Sequence, residues 1–261
     1  DVDESGDVTS IATIDSDAVA TLDLVSRSNG VIAGVPVAAS VFFIVCGTSA
    51  SVTMVASDGD RVEPGSVILS VTGPARQILQ AERPALNLMS HLSGIATATR
   101  AWVDAVQGTN AKIRDTRKTT PGLRALEKYS VRCGGGVNHR MNLSDAALVK
   151  DNHVAAAGGV TQAFTAIKKR YPDLAVEVEV DSLEQLEKVS AAGADLVLLD
   201  NFTVENMKTA VDRFGGKVTL EASGGLTLDV AKAVADTGVD YIAVGAITHS
   251  APVLDIGADI R

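Results

Sequence analysis

Beyond Ala111 the apolar residues fall into short runs at a regular beat: Lys112–Asp115, Ala146–Lys150, Val176–Val180, Leu196–Asp200, Val218–Glu221 and Tyr241–Gly245. Their starts lie 20 to 34 residues apart, and segments such as Ser182–Ala192 and Leu226–Thr237 carry helical spacing. Strands at that interval with helices between them predict βα units and a parallel sheet. Each run also ends in something polar or in glycine: Asp115/Arg117, Lys150-Asp151-Asn152, Glu179/Asp181, Asp200-Asn201, Glu221/Ser223 and Gly245. Chemistry gathered at the C-terminal ends of parallel strands is the mark of an α/β barrel, here complete, or open and incomplete.

The pattern is different upstream. Short alternating runs predict strands at Ala20–Val25 and Ser51–Ala56, and the turn Asp58–Gly65 leads into a strand over Ser66–Val71. From Ala75 to Gln107 the spacing is helical, with Leu86, Met89 and Leu92 on one stripe and Gly94 expected to let helices approach closely. The turn resembles that of a lipoyl or biotinyl carrier. Such a carrier needs a lysine at its tip, and no Lys precedes Lys112. The likeness therefore reads as a half-barrel sandwich scaffold. The expected division is an α+β domain over 1–108 and an α/β barrel domain over 109–261, whose C-terminal end is free to return to the first.

Composition narrows the classes. Of 261 residues 46% are hydrophobic, with Gly 23 and Pro 7, which excludes disordered and collagen-like chains. Aromatics at 3% and a net charge of −9 argue against a nucleic-acid surface. The charge is unevenly spread, however. Lys112 to Lys150 holds nine basic and three acidic residues, so this island is +6 and the remainder −15. Such an island reads either as a local anion site or as scattered surface charge. Cys46 and Cys133 stand 87 positions apart, which predicts neither disulfide nor zinc and points to a reducing cytoplasm. The apolar stretch Val31–Val45 is interrupted by Gly34, Pro36 and Ser40, and no signal peptide is visible. The first residue is Asp1 and not Met, so further residues are expected to precede it.

Three groups could carry chemistry. The glycine turns Ser223-Gly224-Gly225 and Gly245-Ala246 follow late strands and could offer backbone N–H groups to a phosphate; plain tight turns are the alternative. A basic set, Arg117, Lys118, Arg140 and Lys150 with His139, should emerge at the same rim, where arginine forks suit carboxylates and phosphates. Arg124 and Lys128 read as surface ion pairs on a helix after Pro121. An acidic pair, Glu179 and Asp200, occupies corresponding points of adjacent strands, where carboxylates hold magnesium or sugar hydroxyls. Glu177 shares a strand face with Glu179, so either could make the contact, or Glu177 could be a buried partner of Lys150. Asp181, with Glu184, reads as a helix cap. Cys133 is at no strand end, so its glycine run (Gly134–Gly136) reads as a place where backbone passes close to a ligand or another chain. His139 is expected to donate a hydrogen bond to substrate.

These stretches together resemble the quinolinate phosphoribosyltransferase family. They are Arg114-Asp115-Thr116-Arg117-Lys118-Thr119, Gly134-Gly135-Gly136-Val137-Asn138-His139-Arg140, Lys150-Asp151-Asn152-His153, Glu177-Val178-Glu179-Val180, Leu199-Asp200-Asn201 and Glu221-Ala222-Ser223-Gly224-Gly225. Ala81-Glu82-Arg83 and His91-Leu92-Ser93-Gly94-Ile95-Ala96 extend the likeness over nearly the whole chain, and Asp1 to Thr9 looks like a shortened form of the family's acidic start. The resemblance implies transfer of the phosphoribosyl group of 5-phosphoribosyl-1-diphosphate to quinolinate, with release of diphosphate and carbon dioxide and a requirement for magnesium (Mg2+). It also implies at least a homodimer formed through the N-terminal domain.

Carried over by motif, Arg117, His139, Arg140 and Lys150 would surround quinolinate, joined by Arg83 of the partner subunit. Lys118 would meet the diphosphate, and Glu179 and Asp200 the ribose hydroxyls or Mg2+. Ser223, Gly224, Gly225, Gly245 and Ala246 would take the 5-phosphate, with Thr116 and Val244 completing the set. Lys118, Lys150, Glu179 and Asp200 are the expected catalytic residues. Arg83 has no signal in its own surroundings. Two readings compete with this one: a Schiff-base lyase working through Lys150, and a non-catalytic binder of phosphorylated metabolites. A related phosphoribosyltransferase acting on another anionic ring is the nearest variant.

Overall fold

The computed structural model describes residues 6–261. Of the stretch compared above with the family's acidic start, residues 1–5 lie outside the described residues. Asp7 caps the first helix, α1 (Val8–Thr13), by accepting from the N–H groups of Thr9 and Ser10 at 3.1 and 3.2 Å. The chain continues through β1 (Val19–Ser26), β2 (Gly30–Val31), α2 (Val35–Cys46), β3 (Ser51–Met54), β4 (Arg61–Val62), β5 (Val67–Pro74) and the long α3 (Ala75–Ala105). It then follows β6 (Lys112–Arg114), α4 (Arg124–Cys133), β7 (Ala147–Val149), α5 (Asp151–Ala157), α6 (Val160–Arg170), β8 (Val176–Val180), α7 (Leu183–Ala191), β9 (Leu196–Asp200) and α8 (Val204–Phe214). Last come β10 (Thr219–Ser223), α9 (Ala231–Ala235), β11 (Tyr241–Ala243), α10 (Ala246–His249) and β12 (Ile256–Ile260).

The chain forms two compact units. One runs to Arg100 and takes in Arg132–Gly135 and Ser250–Arg261; the other comprises Ala101–Val131 and Gly136–His249. In the first, an antiparallel sheet has the order β12-β1-β5-β3, and its apolar face meets α2 and the start of α3 over Leu22, Leu24, Phe42, Ile68, Leu69, Ile78 and Met89. Strand β12 was not foreseen from the sequence pattern; it pairs with β1 in the register Leu22↔Ile260 to Ser26↔Ile256. Helix α2 likewise shows in the sequence only as a broken apolar run. Pro36 sits in its first turn, where the missing N–H costs nothing, so the apparent interruption is a helix start.

The second unit holds six strands in the order β6-β11-β10-β9-β8-β7, all parallel. Consecutive strands from β7 to β11 are neighbours, and β6 closes onto β11 without meeting β7. The barrel is therefore open between its first two strands. Central strands are apolar on both faces because helices cover the sheet, as in Val197, Leu198 and Leu199 of β9. Strand bounds match the expected ones to within two residues. Among the described residues no helix is long and apolar enough to cross a membrane.

Two local expectations are corrected. The cap of α7 is Ser182, which accepts from the Gln185 N–H at 3.4 Å, while the Asp181 N–H donates to Gln185 Oε1 at 3.3 Å. Ser182 and Gln185 form the capping pair, one residue beyond the Asp181–Glu184 reading. Gly94 makes room for the backbone of the C-terminal segment and not for another helix. A Cβ there would stand 2.1 Å from the Pro252 carbonyl oxygen and 2.9 Å from Val253 Cα. Both obstacles are main chain, so Gly94→Ala should destabilise the protein by about 1–3 kcal/mol. Denaturant titration of the variant against the parent checks this; an unchanged midpoint would contradict the close approach.

Candidate active site

The site rests on Asp115, which follows β6 and is fully buried. Its Oδ1 accepts from Lys128 Nζ and from the His139 N–H at 2.7 Å, and its Oδ2 accepts from Asn138 Nδ2. Lys128 Nζ also donates to the His139 carbonyl at 2.9 Å. Lys128 is thus not a surface residue, contrary to expectation: it is 0% exposed, and burial lowers its pKa against the pull of Asp115. Its helical spacing hid this, because α4 turns the aliphatic stem of Lys128 inward and only the packed fold supplies the carboxylate at the end. The Lys128–Asp115 pair clamps Asn138-His139-Arg140 beside β6, where Val137 bridges to Arg114.

Beneath this lies a second buried charge cluster. Arg114 Nη1 donates to Glu221 Oε2 at 2.6 Å and stands 3.7 Å from Glu177 Oε1, its guanidinium 4.8 Å over the Tyr241 ring. His139 Nε2 donates to Glu177 Oε2 at 2.7 Å, and its Nδ1 accepts from the Arg140 N–H at 2.7 Å. Both ring nitrogens are therefore engaged, and the expected hydrogen bond from His139 to substrate has no free donor in this arrangement. Glu177 is buried as one reading had it, but its partners are His139 and Arg114; Lys150 instead pairs with Glu179 at 2.8 Å. Burial first, and then the Glu177 charge, push Glu221 up to about 8.

Above these groups opens a cavity of about 770 Å³ at the C-terminal ends of the strands. Thr116, Arg117, Lys118, His139, Arg140, Lys150, Glu179, Asp200, Ser223–Gly225 and Val244–Ala246 all line it. Arg117 and Arg140 each keep a buried Nε with no hydrogen-bond partner, and Arg140 Nη1 reaches only the Ala146 carbonyl at 3.0 Å. Burial, and then Arg117, lower the pKa of Arg140. Two like-charged, under-partnered forks in one cavity call for an anion. Opposite in sign, Asp200 is raised by burial and then by the Glu179 carboxylate, while its Oδ2 accepts from Asn201 Nδ2 at 2.8 Å. Lys150 already pairs with Glu179, and the two carboxylates together can also hold a divalent metal.

The glycine turns are shaped by close approach. Gly224 has φ 95, and a Cβ on it would lie 2.3 Å from Asn201 Oδ1 and 2.8 Å from the Asn201 backbone nitrogen, so only glycine fits. Among the described residues, no hydrogen bond uses the N–H groups of Gly224, Gly225, Gly245 or Ala246. Donors left open at a cavity wall suit a phosphate.

Arg83 is not among the lining residues; it stands on α3 in the other compact unit, its side chain 65% exposed and 3.8 Å from Glu82. His249 and Glu221 line the cavity without having been chosen as candidate site residues. His249 lies four residues beyond Gly245, at the end of α10 just after β11, a position the rim argument could have flagged. Gly134, read as a place for a ligand or another chain, instead lies against α3: its Cβ would stand 2.4 Å from the Ala96 carbonyl oxygen.

Fold and cavity together define an α/β-barrel protein whose cavity, at the C-terminal rim of its parallel sheet, is lined by cations and open backbone N–H groups suited to an anionic ligand. The chain belongs to the quinolinate phosphoribosyltransferase family. Residues 95–259 match the model of "Quinolinate phosphoribosyl transferase, C-terminal domain", and residues 7–93 match its N-terminal domain. A nicotinate-nucleotide pyrophosphorylase (carboxylating) of Mycobacterium leprae is 55% identical over 258 residues, 97% of this chain and 91% of its own length. A probable one of Bacillus subtilis is 40% identical over 98% of this chain and 88% of its own. The crystal structure of nicotinate-nucleotide pyrophosphorylase from Ehrlichia chaffeensis superposes with a TM-score of 0.95 at 39% identity, covering 100% of this chain and 94% of that one.

Because Asp115 holds both Lys128 and the His139 stretch, Asp115→Ala should cost about 3–5 kcal/mol by stranding a buried ammonium. Thermal melting checks it, and a loss below that of an ordinary surface substitution would show that the clamp is not needed.

Proposed function

We propose that the protein joins quinolinate to 5-phosphoribosyl-1-diphosphate, forming nicotinate mononucleotide, diphosphate and carbon dioxide in NAD biosynthesis. It is a carboxylating nicotinate-nucleotide diphosphorylase, a pentosyltransferase. The observation that carries the substrate reading is the pair of under-partnered arginines, Arg117 and Arg140, sharing a cavity with open glycine N–H groups and the Glu179–Asp200 pair. Quinolinate has two carboxylates beside a ring nitrogen. Two guanidinium forks can bind both carboxylates and so aim the nitrogen. The glycine turns would anchor the 5-phosphate at the opposite wall, leaving the anomeric carbon between them.

The nitrogen then displaces diphosphate through an oxocarbenium-like state. Lys118 would meet the departing charge, and Glu179 and Asp200 would face the ribose, stabilising positive charge as it grows on the sugar. Lys150, held by Glu179, would complete the cationic wall around quinolinate. Glu179 and Asp200 are also the residues that would hold Mg2+; a bound magnesium ion supplies charge neutralisation to the diphosphate. Once bonded to the sugar, the ring nitrogen is a pyridinium, and its positive charge stabilises the electron pair left on the adjacent ring carbon when the neighbouring carboxylate leaves.

The working unit in this reading is a homodimer or higher homo-oligomer, with Arg83 of the partner subunit completing each quinolinate site. Two features support it: the exposed Arg83 side chain, and an uncovered apolar face on α2, where Phe43 and Ile44 are 64% and 79% exposed. Cys46 and Cys133 form no disulfide, which fits a reducing, cytoplasmic setting.

Protein incubated with quinolinate, the ribosyl donor and Mg2+ should release diphosphate and carbon dioxide together, and chelation of the metal should stop both. Faster turnover of nicotinate than of quinolinate would favour the variant that acts on another ring. Arg140→Ala should raise the quinolinate KM by about 10- to 100-fold through loss of a charge-assisted pair; an unchanged KM in a folded variant would remove Arg140 from the carboxylate contact. Mixing the inactive Arg83→Ala and Lys150→Ala variants should restore about a quarter of the parent activity, as expected for shared sites in a two-fold dimer. No recovery after subunit exchange would rule out a shared site.

A further inference from the structure

The reaction proposed above consumes a proton that the transfer machinery does not supply. When the carboxylate beside the ring nitrogen leaves as carbon dioxide, its bonding pair stays on the ring carbon, and a proton must take its place. Most cations at the cavity are poor sources. Arginine forks do not give up protons in proteins, Lys150 is tied to Glu179 at 2.8 Å, and the one N–H of His139 is committed to Glu177 at 2.7 Å.

Glu221 is different. It lines the cavity from the middle of β10 and is fully buried. One oxygen, Oε2, accepts from Arg114 at 2.6 Å; the other, Oε1, has no hydrogen-bond partner and lies 3.8 Å from His139 Nε2. Two buried carboxylates, Glu177 and Glu221, share the single guanidinium of Arg114. With both ionised and His139 neutral, the cluster would hold an uncompensated negative charge away from water, so one carboxyl keeps a proton. Each carboxyl has one oxygen, Oε1, without a hydrogen-bond partner, and of the two it is Glu221 that lines the cavity. The proton within reach of the cavity is therefore the one on Glu221, at Oε1.

We propose that Glu221 is the general acid of the decarboxylation half-reaction, handing its Oε1 proton to the ring carbon that loses its carboxylate. This rests on the phosphoribosyl-transfer reading above. The carbon–carboxyl bond breaks, its electron pair takes the Glu221 proton to form the new C–H bond, and carbon dioxide departs. Glu221 is left as a carboxylate against Arg114 and regains a proton from water when the product leaves. The groups facing Glu221 set its affinity for that proton: Glu177 and the more distant Asp115 raise it, and Arg114 lowers it. His139 stands between Glu221 and Glu177, Tyr241 lies under Arg114, and Lys128 neutralises Asp115. With Glu221 pushed up to about 8, the donor is charged with its proton at neutral pH and loses it as pH rises through that value.

Rapid quench of a single turnover separates the halves, with diphosphate reporting the transfer and nicotinate mononucleotide the protonated product. In Glu221→Gln the diphosphate burst should survive, while nicotinate mononucleotide formation falls about a hundredfold and the dicarboxylated nucleotide accumulates. Glu221→Asp should recover part of the loss. Should Glu221→Gln fail to fold, the parent enzyme still decides. Above about pH 8 its mononucleotide rate should fall about tenfold per pH unit while the diphosphate burst does not. Equal loss of both steps in Glu221→Gln, no loss of either, or a parent profile in which the two steps move together would overturn the proposal. Absence of any diphosphate burst from the parent would instead reject the transfer reading on which it stands.

Discussion

Everything at the rim of the barrel depends on balancing charge that has been taken out of water beneath it. Asp115, Lys128, Glu177 and Glu221 are all buried, with Arg114 nearly so. Each such charge is costly alone and tolerable only with a partner in good geometry. The Asp115–Lys128 pair satisfies itself and also fixes the main chain of Asn138 to Arg140. The Arg114 cluster does less well, with two carboxylates for one guanidinium. That imbalance holds His139 in one orientation and leaves a proton on the floor of the cavity.

The cavity above is balanced in the opposite sense. Arg117 and Arg140 bring positive charge with too few acceptors, and the glycine turns bring N–H groups with none. An anionic ligand completes both. The same economy explains the small residues: Gly224 passes so near Asn201 that any side chain would collide, which keeps the turn open to a ligand. Fold and chemistry are linked through the sheet, because parallel strands deliver all these groups at one end.

Much of this was legible in the chain. The strand rhythm from Lys112 to Gly245 gave the barrel, since an apolar run ending in a polar residue is a local pattern that needs no partner to be seen. The rim cations and the Glu179–Asp200 pair followed from the same rule. The failures share one cause. The helical pattern puts Lys128 on the surface, because its burial depends on Asp115, thirteen residues away in sequence and adjacent only after folding. Gly94 was assigned the wrong neighbour, since Pro252 reaches it from the other end of the chain. Strand β12 and helix α2 were missed where a pairing partner, or a proline allowed in a first turn, overrode the local signal.

By itself the sequence determined the βα repeat, the barrel class and the resemblance to the family, because periodicity and motif order are properties of neighbouring residues. Tertiary structure alone decided which charges are buried and what each one holds. It tied His139 to Glu177 and released Lys150 to Glu179. It also put Glu221 under the cavity with one oxygen unpartnered. Those outcomes turn on distances of a few ångströms between residues far apart in the chain, and electrostatics in a dry interior is strong enough to make such distances matter.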